Sequence, residues 1–304
     1  MNYYRNILIL IGLGILSVGS ILQAESMDVL ENPILEINRV HNAIKIDGDL
    51  TDLEWGQANG TGYFVEIEPG ENTTPAEKTE VKVAYDDKNL YVAFWAFADP
   101  KDIRASYQKR DQAWMDDFVA IFLDTYGDAN TGTMIGANPY GIQMDAKNNG
   151  GGDDDPTFDL VYESKGMITD EGYQVEMAIP FSSLSFPDKE VQEWKVGFYR
   201  SLPREKRSQI VWGGFDRTNP CFLCQMGTLI GIQGIKQRGS FEFLPAIVGS
   251  QVAELDQNNT LKKGTAVGEA SLGIKYSLSS DRVIELTINP DYSQVEADEE
   301  QVDM

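Results

Sequence analysis

Apolar residues fall at every second position wherever this chain is not broken by Gly, Asp, Asn or Pro clusters, and no stretch sustains a 3.6-residue period. Such a pattern commits a chain to strands with one buried and one open face, and it leaves little room for helices. Within residues 173–179, Tyr173, Val175, Met177 and Ile179 share one face while Gln174 and Glu176 share the other. That is a half-buried antiparallel strand. The same reading applies to residues 80–85, 118–123, 142–146, 160–164, 194–200 and 209–213. Residues 90–97 differ in being apolar on both faces. They read as a central strand, or as one whose second face, with Tyr91, Trp95 and Phe97, is covered by another part of the chain. Many short strands punctuated by turn residues predict an all-β fold, an antiparallel β-sandwich over residues 38–239, with residues 25–37 as a linker.

Two segments flank this body. At the front, Arg5 precedes an apolar stretch from Ile7 to Val18, and Ala24 offers a small residue for cleavage. Residues 1–24 are therefore expected to be a secretory signal peptide, with an uncleaved N-terminal anchor as the alternative. An exported chain in the cell envelope follows from that reading. After Gly239 the texture changes to three amphipathic strands marked by Phe241, Phe243 and Ile247, by Ala270, Leu272, Ile274 and Tyr276, and by Ile284, Leu286 and Ile288. Strands of this kind can begin a transmembrane barrel, and three cannot close one. Residues 240–304 are accordingly expected to be the start of an outer-membrane-type β-barrel that is cut short.

Charge narrows the partners. The formal net charge of −23 becomes −24 once residues 1–24 are removed, because Arg5 leaves and no acid does. An excess of this size argues against nucleic acid. It fits a neutral polysaccharide, divalent cations or a salty exterior, and it equally fits simple solubility. Cys221 and Cys224 are the only cysteines and lie in one short turn, where a local disulfide is the favoured account for an exported chain. Free thiols, a redox pair or metal ligation remain alternatives. Zinc would need two further soft ligands, and His41 is the only histidine.

Four stretches carry a more specific signal. Ile46-Asp47-Gly48-Asp49-Leu50 with Trp55 reads as a strand end, a tight turn and a buried anchor. Val83-Ala84-Tyr85-Asp86-Asp87 runs into Leu90-Tyr91-Val92, Asp116-Asp117 opens the strand ending at Leu123-Asp124, and Tyr173 to Pro180 precedes Phe181. In this order the stretches resemble the family 9 carbohydrate-binding module over roughly residues 38–200. Lys109-Arg110-Asp111, Asn138-Pro139-Tyr140-Gly141-Ile142-Gln143 and the run from Leu286 to Asp298 bring the chain closer still to envelope proteins in which such a module precedes an outer-membrane β-barrel of unknown function. Those proteins continue into further barrel strands, so the chain looks like the front part of a longer one.

Sugar recognition uses aromatic faces against pyranose rings and planar polar groups for the hydroxyls. The stacking candidates are Trp95, Trp114, Tyr140 and Trp212, with Arg110, Asp111, Asn138 and Gln143 as hydrogen-bonding partners. The resemblance favours Arg110 and Trp114, and it supplies no clear match for a second stacking tryptophan. Asp124, Asp128, Asn130 and Thr131 form one oxygen-rich loop, and Asp153, Asp154, Asp155 and Asp159 another. Such loops can hold calcium, and the resemblance implies structural calcium in some members.

A glycoside hydrolase acting on O-glycosyl bonds would need two carboxylates across a cleft, and no motif selects a pair among the 48 acids. There is no nucleophile elbow, zinc helix or phosphate loop. The leading expectation is a non-catalytic carbohydrate-binding module that serves glycan capture or catabolism. The rivals are a structural or interaction domain of the barrel, a glycosidase, and a haem-binding sandwich, for which His41, Met134 and Met144 are poor axial ligands.

Overall fold

The computed structural model describes residues 32–148, 154–155, 158–236, 241–251, 253–255, 261–263, 267–279 and 282–289. The expected leader, Asp153, the boundary at Gly239 and the run from Pro290 onward lie outside these residues. The strands are β1 Ile34–Glu36, β2 Asn38–Arg39, β3 Asn59–Thr61, β4 Phe64–Glu68, β5 Thr79–Tyr85, β6 Asn89–Phe97, β7 Phe118–Asp124, β8 Gly132–Ala137, β9 Gln143–Asn148 and β10 Asp154–Asp155. They continue as β11 Glu163–Thr169, β12 Gly172–Pro180, β13 Trp194–Pro203, β14 Arg207–Trp212, β15 Gly227–Ile230, β16 Phe241–Ser250, β17 Ala253–Leu255, β18 Leu261–Lys263, β19 Val267–Ser279 and β20 Arg282–Ile288. Helix is confined to three short 3-10 turns among the described residues.

Two sheets face each other. The larger runs β1-β15-β13-β7-β8-β9-β10, and β14 joins β13 to β4. The smaller runs β11-β12-β6-β5-β2, with β3 also on β5. Between them the alternating apolar faces meet: Val81 and Val83 of β5, Leu90, Val92 and Phe94 of β6, and Val175 and Met177 of β12 lie in one cluster with Val119 and Ile121 of β7 and Trp194, Val196 and Phe198 of β13. This is the sandwich that the period-two pattern predicted.

Both readings of residues 90–97 hold. β6 sits between β12 and β5, and its outward Tyr91 and Ala93 are covered by Val40, Ile44, Leu50 and Trp55. The Asp47-Gly48 turn and Trp55 are held there by one buried carboxylate. Glu176 accepts from the Asp47 and Gly48 amides at 2.9 and 2.6 Å and from Trp55 Nε1 at 2.7 Å. Gly48 has φ +90°, a conformation that favours glycine, and a Cβ there would press on Met167 Cβ at 3.3 Å. Tyr91 donates to Asp86 Oδ2 at 2.9 Å, and burial pushes its hydroxyl up to about 12. From pH ~10 upward an unfolded chain sheds this proton while the fold retains it, so stability falls as pH climbs toward 12. Thermal midpoints of a Tyr91→Phe chain are expected to fall less steeply over that window than those of the parent.

Two expectations need correction. Part of the predicted linker is structure: β1 pairs in parallel with β15 and β2 with β5, so residues 34–39 cross from one sheet to the other. The strand predicted at 160–164 begins at Glu163 instead and runs to Thr169. Leu160 and Tyr162 are pulled inward, Leu160 by its amide bond to Asp145 and Tyr162 by a 2.7 Å hydroxyl bond to the Gly136 carbonyl.

Candidate functional site

β7 is buried along both faces. Its odd residues enter the sandwich core, while Phe118, Ala120 and Phe122 turn outward with Met134 of β8 and Met144 and Ala146 of β9. An outward apolar face needs a cover. Residues 215–226 supply it on one side and Ala113-Trp114 on the other. Leu223 is the anchor of that cover: it is buried against Gly132, where an added Cβ would stand 2.7 Å from Leu223 Cδ2. The Cys221–Cys224 disulfide closes the turn around it. Gln225 ties the loop together, its side-chain amide donating to the carbonyls of Asp216, Asn219 and Cys221 at 3.2 Å each.

The cover is incomplete, and a cleft of about 400 Å³ remains. Its walls are aromatic: Trp114 stands edge-on to Phe118 at 5.9 Å, Tyr199 lies 5.6 Å from Phe118, and Phe222 packs on Phe122 at 4.9 Å and on Phe215 at 5.8 Å. Polar groups from five separate segments line it too. Tyr199 Oη donates to Gln209 Oε1 at 3.1 Å, Gln209 Nε2 donates to Glu68 at 2.6 Å, and Asn148 and Arg217 complete the lining. Burial pushes the Tyr199 hydroxyl up to about 12, so the cleft keeps it as a neutral donor. The cleft can hold a ring-sized ligand flat against aromatic surface with hydrogen bonds at its edge.

Of the residues singled out from sequence, Trp114 lies in the cleft. Arg110 turns into the protein: it donates to Gln143 Oε1 at 2.9 Å and to the Leu160 carbonyl at 2.7 Å, and it pairs with Asp145, with Asp159 at 3.0 Å and with Asp111 at 3.5 Å. Burial works against its charge, yet Asp145 holds it and keeps the guanidinium above its ordinary value. Arg110, Asp111 and Gln143 are thus spent on fastening a loop to β9. The carboxylates of Asp111, Asp145 and Asp159 come within 4.8 Å of one another, and Arg110 supplies the cation among them. Asn138 is fully buried; it donates to Asp116 at 2.9 Å and accepts from the Tyr140 and Ile142 amides, which shapes its turn. Trp95 lies on the other sheet beneath the Lys82 ammonium, 5.4 Å from its centroid, and Trp212 is buried against Phe198. Tyr140 stacks on Tyr107. Met134 and Met144 are buried in the outward cluster, apart from His41.

The carboxylates of the expected calcium loop make bonds within the loop itself. Asp124 is buried and accepts the amides of Tyr126, Gly127 and Ala129 at 3.1, 2.7 and 2.8 Å, and Asp128 accepts the Asn130 amide. These carboxylates staple their own loop, which is the common use of Asp in turns. Asp154 and Asp155 pair with β9, and Asp159 with Arg110. Excess chelator is expected to leave the thermal midpoint unchanged; a fall of several degrees would restore a cation to this loop.

Sequence reasoning missed Phe215, Phe222, Tyr199, Glu68, Asn148, Gln209 and Arg217. The one local signal was Phe222 between the two cysteines.

A two-sheet sandwich with a covered outer face and an aromatic cleft defines a small-ligand-binding β-module. The family model "Carbohydrate family 9 binding domain-like" matches residues 46–207, just over half of the sequence. The chain belongs to that family. Among solved structures, a putative carbohydrate-binding protein from Bacteroides uniformis ATCC 8492 superposes with a TM-score of 0.52 at 15% identity, covering 65% of this chain and 98% of that one. A family 9 carbohydrate-binding module from Caldicellulosiruptor kristjanssonii in complex with cellotriose reaches 0.47 at 18% identity, covering 65% and 92%. One from the same organism in complex with glucose reaches 0.44 at 18%, covering 67% and 97%. The first supports the sandwich assignment. No curated protein matches the sequence.

Proposed function

We propose that this chain is a non-catalytic carbohydrate-binding module and that the cleft beside Trp114 is where the glycan sits. The observation that carries the reading is the cleft itself: an aromatic wall of Trp114, Phe118, Tyr199 and Phe222 joined to the Glu68, Gln209 and Asn148 edge. Pyranose rings have one apolar C–H face and a rim of hydroxyls, and this wall and edge match them. Binding is favoured over hydrolysis because Glu68 is the single carboxylate among the described lining residues, whereas glycosidic cleavage employs two. Calorimetric titration of the full chain against a panel of neutral oligosaccharides tests this. Saturable heat with at least one sugar is expected, and release of reducing ends would move the chain to the hydrolases.

We further propose that the chain is exported and that residues 241–289 meet the outer membrane. β16, β19 and β20 form an antiparallel sheet in which Phe243, Ile274 and Leu286 stand in one cross-strand row, and Pro245, Leu272 and Ile288 in the next. Ile247, Leu286 and Ile288 are exposed, with Glu285 and Thr287 alternating on the other side. One face is apolar, as on the lipid side of barrel strands, and the other is mixed, with Leu244 beside Thr287 and Glu285. The full chain is expected to float with zwitterionic phospholipid vesicles in a density gradient. A variant carrying Ile247→Arg and Leu286→Arg should stay at the bottom. A parent chain that also stays at the bottom would remove the membrane assignment.

A further inference from the structure

The cleft is not the only aromatic surface on its loop. Residues 104–117 form a closed loop: the Asp117 amide donates to the Arg104 carbonyl at 2.8 Å, the Arg104 amide to Asp117 Oδ2 at 2.9 Å and the Ser106 amide to Asp116 at 3.0 Å. Its middle is moored to β9 by the Asp111 amide on the Gln143 carbonyl at 3.0 Å. Trp114 leaves this loop toward the cleft. Tyr107 leaves it toward the β8–β9 turn, where its ring stacks on Tyr140 with centroids 4.2 Å apart and planes 4° from parallel. The turn beneath is rigid: Tyr140 N is held by Asn138 Oδ1 at 3.0 Å, and Gly141 rests directly on the backbone of β11, where a Cβ would stand 2.8 Å from Gly166 N.

Tyr107 therefore has one face against Tyr140, while the residue as a whole is 80% exposed. A stacked ring of this kind cannot turn edge-on without losing its partner, so its outer face is a preformed flat platform. A net charge of −23 disfavours nucleotides and other anions that would offer a planar group, and the glycan reading of the cleft supplies a neutral ligand with an apolar ring face. Tyr107 and Trp114 are seven positions apart on one loop, so their Cα atoms lie at most ~25 Å apart, a distance that a glycan of several sugar units can span.

We propose that Tyr107, backed by Tyr140, is a second stacking subsite, which takes sugar units of a glycan chain that extend beyond the Trp114 cleft. This rests on the glycan reading of the Trp114 cleft. The test is calorimetry of the full chain against ladders of neutral cello-, manno- and xylo-oligosaccharides of one to six units. Affinity of the parent is expected to rise with chain length. Tyr107→Ala should remove about three- to tenfold of that rise, leave the shortest bound sugar unaffected and keep the thermal midpoint, whereas Tyr107→Phe should retain the rise. Trp114→Ala should weaken short and long sugars alike. A Tyr107→Ala ladder that matches the parent, or a parent ladder that is flat, overturns the second subsite and leaves the cleft standing. A parent chain that binds no sugar of any length overturns both.

Discussion

Arg200→Met is expected to destabilise the sandwich by about 3 to 5 kcal/mol, enough to consume much of the stability of an ordinary domain. Arg200 is fully buried on β13, at a position where the alternation calls for an apolar residue. Its guanidinium crosses the sandwich to the other sheet. There it donates to the Lys78 and Phe97 carbonyls at 2.9 and 3.0 Å, to Thr79 Oγ1 at 3.1 Å and to Glu77 at 2.9 Å. Arg204 shares Glu77 and also binds Asp117 at 2.9 Å. Methionine fills comparable space but removes the guanidinium from the buried Thr79 hydroxyl, the Phe97 carbonyl and Glu77, while the Lys78 carbonyl keeps the Phe97 amide at 3.0 Å; a polar group left unpaired costs free energy. Arg200→Lys keeps the charge but cannot fork to four acceptors, so it should fall between the two. Urea unfolding followed by tryptophan fluorescence measures the difference. A loss under about 1 kcal/mol for Arg200→Met would show that the network contributes nothing net.

The second large effect concerns the ligand. Trp114→Ala is expected to weaken glycan binding by about 30-fold or more, the range for truncating an aromatic at the centre of a contact. Trp114 is the widest ring in the cleft and is partly exposed, so its removal strips stacking surface while leaving the inter-sheet core intact. Trp95→Ala is the control, because that ring lies on the opposite sheet under Lys82. Affinity unchanged in Trp114→Ala, with binding lost in Trp95→Ala, would move the site to the smaller sheet.

Strands were legible because their evidence is local. The alternation of Tyr173, Val175, Met177 and Ile179 survives intact as the inward face of β12. The two-sided apolarity of residues 90–97 foretold a covered sheet, although nothing nearby said that Trp55 would do the covering. Of the candidate cleft, only Trp114 was legible. Arg110, Asn138 and Gln143 carry the residue types that bind sugars, and those same donors and acceptors serve equally well to pin loops. Which use prevails depends on Asp145, Leu160 and Tyr162, residues that approach only once β9 and β11 are in place. Glu68, Gln209 and Phe222 meet through pairing of β4 with β14 and through the disulfide-closed turn, contacts too distant in sequence for spacing to reveal.

The parallel pairing of β1 with β15 has a mechanical meaning. Thr228 N bonds the Pro33 carbonyl at 2.8 Å and Ile37 N bonds the Ile230 carbonyl at 2.9 Å, so the two short strands are riveted at both ends. Tension applied between the residues preceding β1 and those following β15 pulls these strands along their length in opposite directions. Hydrogen bonds that lie across such a pull share the load and must rupture together rather than one after another. The Trp114 cleft, built from β4, β7, β8, β9, β13, β14 and the loops over them, includes neither of the loaded strands. A module held from both sides of this rivet can be stretched while its grip on a glycan stays intact.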